Sequence, residues 1–100
     1  MSLKVTALSK KKQVRFSLGQ VIATPNALSK LTHEDILKAL DRHVTGDWGE
    51  TSEEERNENE FSLKKEFRLL SVYRGANGTK FWIITEADRS FTTVLLPEDY

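Results

Sequence analysis

Side chains that could act in acid–base catalysis gather near the end of the chain. The segment 85–90, Thr-Glu-Ala-Asp-Arg-Ser, supplies an acid at Glu86 and a cation at Arg89. His43, whose ordinary pKa lies near neutrality, is the general base that could join them from a predicted helix end. A base, an acid and an arginine are the side chains that general acid–base catalysis on an anionic substrate would use. His43, Glu86 and Arg89 are therefore the candidate catalytic residues.

Further polar and aromatic side chains could bind a ligand around this centre. Asp47 and Trp48 lie between two glycines, where the indole could stack on a nucleic-acid base or on a partner protein. The predicted sheet supplies the other binding candidates, which are Arg68, Tyr73, Arg74, Thr85, Ser90 and Thr92. Each of these candidates could instead have a purely structural role. His43 is then a boundary histidine bonded to a carbonyl, Trp48 a core anchor, and the segment 85–90 a polar hairpin rim.

Composition limits the class of protein. One hundred residues form one compact domain, and the absence of cysteine excludes disulfides and thiolate metal sites and indicates a reducing compartment. No apolar run approaches the roughly 18 residues that a membrane span needs. The histidines and acids lack the spacing of a metal site, and no phosphate loop is present. We expect a soluble cytoplasmic protein with no metal, no cofactor and no membrane association.

The charge is distributed unevenly along the chain. Five basic residues and no acid lie within residues 1–15, so the remainder carries −5 because the formal net charge is zero. We interpret residues 1–13 as a flexible basic tail in front of a single domain, 14–100. The alternative is that the tail holds a phosphate backbone such as that of RNA, with strong salt dependence.

Two helices carry clear start signals. Thr32 and Asp35 have the spacing of a capping box, and Ser52 and Glu55 repeat it. We expect one helix over 33–45 and a second that begins near residue 53, with a shorter helix over 25–31 before them. Apolar residues at helical spacing give the first helix a core face made of Ile36, Leu37, Leu40 and Val44. The inward face of the second is Asn59, Leu63 and Phe67.

The last third of the chain has the pattern of strands. Residues 69–74 and 80–86 flank Asn77-Gly78, which favours a hairpin with a type I′ turn. Both faces of 80–86 are apolar, so this strand is central, and residues 91–96 form the next strand. Segment 14–23 is predicted to join the sheet. The fold class is α+β, with an N-terminal strand and two principal helices packed on a C-terminal antiparallel β-meander.

The same pattern predicts self-association. A chain of this size has few helices to cover a sheet that is apolar on both faces, so we expect a homodimer formed through the sheet. The two candidate faces are Trp82, Ile84, Val94 and Leu96 on one side, and Phe81, Ile83, Phe91 and Leu95 on the other.

Several runs of sequence carry a resemblance to a known family. They are 18–21, 23–25, 42–43 with 46–49, 68–71 with Tyr73, and 82–90 with 95–97 and Tyr100. Together they resemble a family of small bacterial proteins, often plasmid-borne, that are labelled "plasmid-related protein" or "type I restriction endonuclease subunit". The resemblance covers about residues 16–100. It implies a role in a plasmid or mobile-element system and assigns no reaction.

Two functions from different classes follow. The first is a non-enzymatic binding or accessory module of a plasmid or mobile element, with a protein partner. It is favoured because no strong catalytic motif is present. The alternative is a metal-independent endoribonuclease, because helices followed by an antiparallel meander are also the outline of barnase-like and toxin ribonucleases. That alternative requires His43, Glu86 and Arg89 to meet at one phosphate site.

Overall fold

The computed structural model describes residues 13–100, and nearly all of the predicted basic tail lies outside this range. The fold is α+β, as the sequence predicts. Its elements in chain order are β1 (Gln20–Ala23), α1 (Pro25–Lys30), α2 (His33–Val44), α3 (Glu53–Lys65), β2 (Leu69–Arg74), β3 (Lys80–Thr85), β4 (Phe91–Leu95) and a 3-10 helix (Pro97–Asp99).

The four strands form one mixed sheet in the order β1-β4-β3-β2. The strands β2, β3 and β4 make the predicted antiparallel meander, and β3 is an interior strand. The strand β1 pairs with β4 in parallel, with Val21 opposite Thr92. A parallel pair needs a crossover connection, and here the connection runs through three helices and the strands β2 and β3. The sheet is therefore not purely antiparallel.

The first strand is shorter than predicted, because only the end of segment 14–23 belongs to the sheet. Gly19 has a φ of 63°, and a Cβ placed there would lie 2.3 Å from the carbonyl oxygen of Ser90. Before this glycine the chain crosses the end of α2, where the amide of Arg15 donates to the carbonyl of Val44 (2.9 Å). The close backbone approach at Gly19 thus separates β1 from the segment that precedes it.

The turn between β2 and β3 is not of type I′, so that prediction is wrong. A type I′ turn needs positive φ at both central residues, and within this turn only Gly78 has it (φ 87°). The amide of Gly78 donates to the carbonyl of Gly75 (2.9 Å), which makes a type I turn followed by a glycine bulge. Asn77 acts through its side chain instead, whose amide donates to the carbonyl of Lys30 (3.3 Å).

The helices α2 and α3 begin with the capping boxes that the sequence predicts. The buried side of α2 differs from the prediction, because Ala39 and His43 are buried while Leu37 is 58% exposed. In α3, Asn59 faces inward as expected, but Phe67 lies beyond the helix end and is exposed. No helix within residues 13–100 is long and apolar enough to cross a membrane.

Helices of the same chain cover one face of the sheet, and the other face is covered only in part. The main core lies between one face and the helices α1 and α2, and consists of Ala27, Leu31, Ala39, Tyr73, Phe81, Ile83, Val94 and Leu96. On the other face Ile84 and Leu95 are buried, and Trp82 packs edge-on against Tyr100 (5.5 Å between ring centroids). Phe91, which alternates with Leu95 on that face, is 41% exposed, so the homodimer expected through the sheet stays a prediction.

Candidate functional site

The last turn of α2 carries His43 into the protein interior. Its side chain is fully buried (0% exposed). Nδ1 lies 2.6 Å from the Ser71 hydroxyl, and Nε2 lies 2.9 Å from the Thr85 hydroxyl. The rings of Phe16 and Trp48 pack edge-on against the imidazole (5.1 and 5.8 Å between centroids). Both ring nitrogens are thus engaged, and aromatic rings screen the ring from solvent.

The donor and the acceptor in each hydrogen bond around this histidine can be assigned. The Thr92 hydroxyl lies 2.7 Å from the carbonyl oxygen of Leu18, which can only accept, so Thr92 is the donor. The Thr85 hydroxyl must then donate to Thr92 (2.7 Å). It follows that Nε2–H of His43 donates to Thr85, while Nδ1 accepts from the Ser71 hydroxyl. We call Ser71, His43, Thr85 and Thr92 the buried polar chain.

The electrostatics of this site keep the imidazole neutral. Burial lowers the pKa of His43 to about 3, and the positive charge of Arg89 acts in the same direction. The lone pair of Nδ1 is already used in the bond from Ser71. His43 is therefore a structural group that joins α2 to β2 and β3, and it is closed to a substrate in this structure.

The guanidinium of Arg89 donates hydrogen bonds to four backbone carbonyls. Its Nη1 donates to the carbonyls of Phe67 (2.7 Å), Glu86 (3.1 Å) and Ala87 (3.1 Å). Its Nη2 donates to the carbonyl of Ser62 (3.2 Å) in the last turn of α3. Because helix ends leave carbonyls without internal partners, Arg89 caps α3 and ties it to the turn before β4.

Glu86 does not join His43 and Arg89 in a shared site. Its carboxylate lies 3.6 Å from the guanidinium of Arg68, which also donates to the hydroxyl of Tyr100 (2.9 Å). The contact between Glu86 and Arg89 is through the main-chain carbonyl only. The three catalytic candidates thus share no open pocket, because one is enclosed and each of the other two has its own partners.

The glycine-flanked loop is part of the core. Trp48 is only 3% exposed, and its indole N–H donates to Glu60 (3.1 Å). The Asp47 carboxylate pairs with Arg42 (2.7 Å), and its carbonyl accepts from the hydroxyl of Tyr73 (2.5 Å). Burial raises the pKa of Tyr73 well above its usual value. Trp48 therefore anchors the loop and offers no open stacking surface.

The remaining binding candidates also have local partners. Arg74 pairs with Glu50 (3.1 Å), and the Ser90 hydroxyl donates to Asp88 (2.5 Å) within the turn before β4. Thr85 and Thr92 belong to the buried polar chain. The candidate residues thus stabilise several separate regions and do not converge on one ligand.

The outer edge of β2 is closed, a feature that sequence reasoning missed. The side-chain amide of Asn59 donates to the carbonyl of Leu70 (2.8 Å) and accepts from its amide (3.1 Å), as a neighbouring strand would. Two residues further on, Val72 donates to the carbonyl of Trp48 (3.1 Å) and accepts from the amide of Glu50 (2.7 Å). This edge has no room for another strand.

The outer edge of β1, unlike that of β2, is not closed by other groups of residues 13–100. The amides of Gln20 and Thr24 donate to carbonyls of β4 and the residue before it (3.0 Å each). In a parallel pair alternate residues face the neighbouring strand, so Val21 and Ala23 direct their N–H and C=O groups away from the sheet. Within residues 13–100 no group pairs with these outward amides.

An apolar groove lies beside this edge, between β1 and the helices α1 and α2. Its volume is about 560 Å³, within the usual range for binding pockets. Val21, Leu28 and Leu37 along it are 42%, 60% and 58% exposed, while Ile36 and Leu40 are half-buried lining residues. We call this the β1 groove. Within residues 13–100, an unpaired strand edge thus lies beside an exposed apolar groove.

Comparison with protein-family models, with curated proteins and with solved structures found no match to this chain. Within the described part of the chain, no three His, Cys, Asp or Glu side chains gather as a metal site requires.

Proposed function

We propose that this protein is a non-enzymatic binding module that takes up an extended segment of a partner protein along the outer edge of β1. The observation that carries the proposal is the contrast between the two sheet edges. Asn59, Trp48 and Glu50 close the edge of β2. Among residues 13–100 nothing pairs with the outer edge of β1, which lies beside the β1 groove.

Recognition would combine main-chain and side-chain contacts. The N–H and C=O groups of Val21 and Ala23 would pair with the backbone of the incoming segment and add a strand to the sheet. Alternate side chains of that segment would enter the β1 groove, since successive residues of a strand point to opposite faces. The preferred partner segment therefore alternates apolar and polar residues. The negative charge of residues 16–100 favours basic flanking residues.

The buried polar chain serves this function by fixing the position of α2. Bonds from His43 to Ser71 and Thr85 hold the end of α2 against two strands. The helix that forms one wall of the groove is therefore held in place before a partner arrives. A preformed groove avoids the ordering cost that a mobile helix would add to binding.

Selection from a random-peptide display library on the immobilised full chain tests the proposal. We expect the selected peptides to alternate apolar and polar residues and to lose at least tenfold in affinity for Leu37→Glu. The matched control is Phe61→Glu, which places the same charge on another exposed helix residue (52% exposed) away from the groove. Peptides without alternation, or with equal affinity for both variants, would contradict the proposal.

The endoribonuclease hypothesis has less support, because His43 is enclosed and Glu86 pairs with Arg68. RNA cleavage by the purified protein that disappears in Glu86→Gln would favour it again. A role within a plasmid or mobile-element system rests on the sequence resemblance and would appear in the identity of the partner.

A further inference from the structure

The strand β1 is short, and only two of its residues can pair along the outer edge. The main-chain groups of Val21 and Ala23 point away from β4, and within residues 13–100 nothing pairs with them. The neighbouring outward positions offer no further donor. The amide of Gly19 already donates to the hydroxyl of Ser17 (3.3 Å), and Pro25 has no N–H. Any strand that adds to this edge therefore has two donors and two acceptors to satisfy.

A second copy of β1, running antiparallel about a twofold axis, matches these four groups. In an antiparallel ladder, opposite residues that face each other exchange two main-chain hydrogen bonds. With Ile22 on the axis, Val21 of each copy lies opposite Ala23 of the other, and every outward donor and acceptor is used. An axis at Val21 would place Ala23 opposite Gly19, and an axis at Ala23 would place Val21 opposite Pro25. Both of these registers lose a donor, so the edge is self-complementary about Ile22.

The side chains of β1 also suit a second copy. The register with β4 places Val21 on the same side of the sheet as Thr92, facing the β1 groove, and Ile22 on the opposite side with Thr93. Val21 and Ile22 are 42% and 43% exposed, so the strand presents apolar surface on both sides. A peptide that alternates apolar and polar residues covers the groove side only, whereas a second β1 brings apolar residues to both sides.

The surroundings of the strand extend this apolar surface. Leu28 and Leu37 beside the groove are 60% and 58% exposed, and Phe91, on the side of Ile22, is 41% exposed. A twofold axis through the edge places the grooves of the two copies on the same face of the joined sheet, where they face each other. The strand itself, Gln-Val-Ile-Ala, carries no charge of the kind that keeps exposed edges apart.

The geometry points to a homodimer in which two copies of this chain pair antiparallel through β1, with Ile22 on the twofold axis. Two four-stranded sheets then form one continuous sheet. The pairing occupies the docking surface proposed above, so a second copy and a partner segment exclude each other. Self-association therefore sets a threshold for partner binding, a consequence that rests on the proposed function.

Sedimentation of the full chain over a range of concentrations tests the pairing. We expect a monomer–dimer equilibrium. Ile22→Glu and Ile22→Lys each place like charges opposite each other at the axis and should raise the dissociation constant of the dimer at least tenfold. An equal mixture of the two variants brings opposite charges together and should restore the dimer. The control Phe61→Glu, on an exposed residue of α3, should leave the dissociation constant unchanged.

A single introduced thiol tests the register, because the chain has no cysteine of its own. Opposite residues that do not exchange hydrogen bonds have Cα atoms about 4.5 Å apart, within the range of a disulfide. Ile22→Cys should therefore form a covalent dimer under mild oxidation. Val21→Cys, at an equally exposed position, faces Ala23 of the other copy and should crosslink at least tenfold more slowly.

Four outcomes would overturn the inference. They are an unmodified chain that stays monomeric at every concentration, equal dimerisation of the unmodified and Ile22→Glu chains, a mixture of the two charged variants that stays monomeric, and equal crosslinking of the two thiol variants.

These measurements separate the inference from the proposed function. A chain that stays monomeric and still selects alternating peptides would exclude the second copy and support the docking surface. A dimer that passes the charge test, in a chain that selects no peptide even as a dilute monomer, would support the pairing and contradict the binding function.

Discussion

At the scale of single residues, His43 couples three parts of the fold through one neutral ring. Its two nitrogens bond to Ser71 and Thr85, which belong to different strands, and the chain continues through Thr92 to the carbonyl of Leu18. A buried polar network of this kind stabilises the fold only while every member is satisfied. Protonation of the ring would place a charge in the core and would require the Ser71 hydroxyl to turn from donor to acceptor at Nδ1.

The first prediction concerns the dependence of stability on pH. The folded-state pKa of about 3 lies below the ordinary value of 6.5, so between these values the unfolded state binds a proton that the folded state does not. The free energy of unfolding therefore decreases as the pH falls through this window. From pH 6.5 to 5 the loss should be about 1.5–2 kcal/mol, before most carboxylates titrate.

Urea denaturation at a series of pH values measures this loss. His33→Gln removes the exposed histidine and should leave the slope intact, while His43→Gln should abolish it in any folded sample. A free energy of unfolding that stays constant between pH 6.5 and 5 in the unmodified chain would contradict the buried neutral histidine.

The second prediction concerns the tautomer of His43. The direction of the buried polar chain places the proton on Nε2 and leaves Nδ1 as the acceptor from Ser71. Nitrogen-15 NMR of the imidazole should show this tautomer unchanged from pH 8 to pH 5. A proton on Nδ1, or a ring that becomes charged near pH 6, would show that the order of donors is different.

At the scale of elements, the helix α3 and the loop before it close the edge of β2. Asn59 supplies a side-chain amide at Leu70, and the backbone on either side of Gly49 supplies the next pair of bonds at Val72. Since unpaired strand edges favour aggregation, this closure restricts strand addition to the β1 side of the sheet.

The third prediction tests the closure through Asn59. Asn59→Ala removes two hydrogen bonds and leaves the amide and carbonyl of Leu70 without partners, which should lower the free energy of unfolding by about 2–3 kcal/mol. Asn57→Ala, an exposed position on the same helix, should change it by less than about 0.5 kcal/mol. Equal effects in denaturant titrations would show that Asn59 contributes little.

The fourth prediction concerns the glycine in the same closure. Gly49 has a φ of 74°, and a Cβ there would lie 1.9 Å from the carbonyl oxygen of Val72. Gly49→Ala must therefore displace the loop from β2, and we expect a loss of about 3 kcal/mol or more. Gly78→Ala, also at positive φ (87°) but in open space, should cost only about 1 kcal/mol. Similar melting temperatures for the two variants would contradict the close contact at Gly49.

For the whole molecule, short sequence patterns predicted the helices and strands, whereas contacts between distant residues determined how these elements pair and pack. The capping boxes at Thr32 and Ser52 and the alternation around Asn77-Gly78 are contained within a few residues, so the helices and the hairpin were predictable. The parallel pairing of β1 was not, because it joins residues about 70 positions apart.

The candidate site was predicted less well, because the roles of its residues also depend on contacts between distant parts of the chain. His43 has the residue type of a catalytic base, and only the positions of Ser71 and Thr85 in the folded sheet show that both nitrogens are used. Leu37 fits the apolar period of α2, yet β1 is too short to cover it, which leaves it beside the groove.

The edge of β1 and the β1 groove form the proposed docking surface of this protein. The most direct test is an NMR titration of the full chain with a synthetic peptide that alternates apolar and polar residues between basic ends, and with a peptide of the same composition in scrambled order. We predict amide shifts at β1 and around Leu37 with the alternating peptide only. Absence of shifts, equal effects of the two peptides, or shifts centred on Glu86 and Arg89 would contradict the claim.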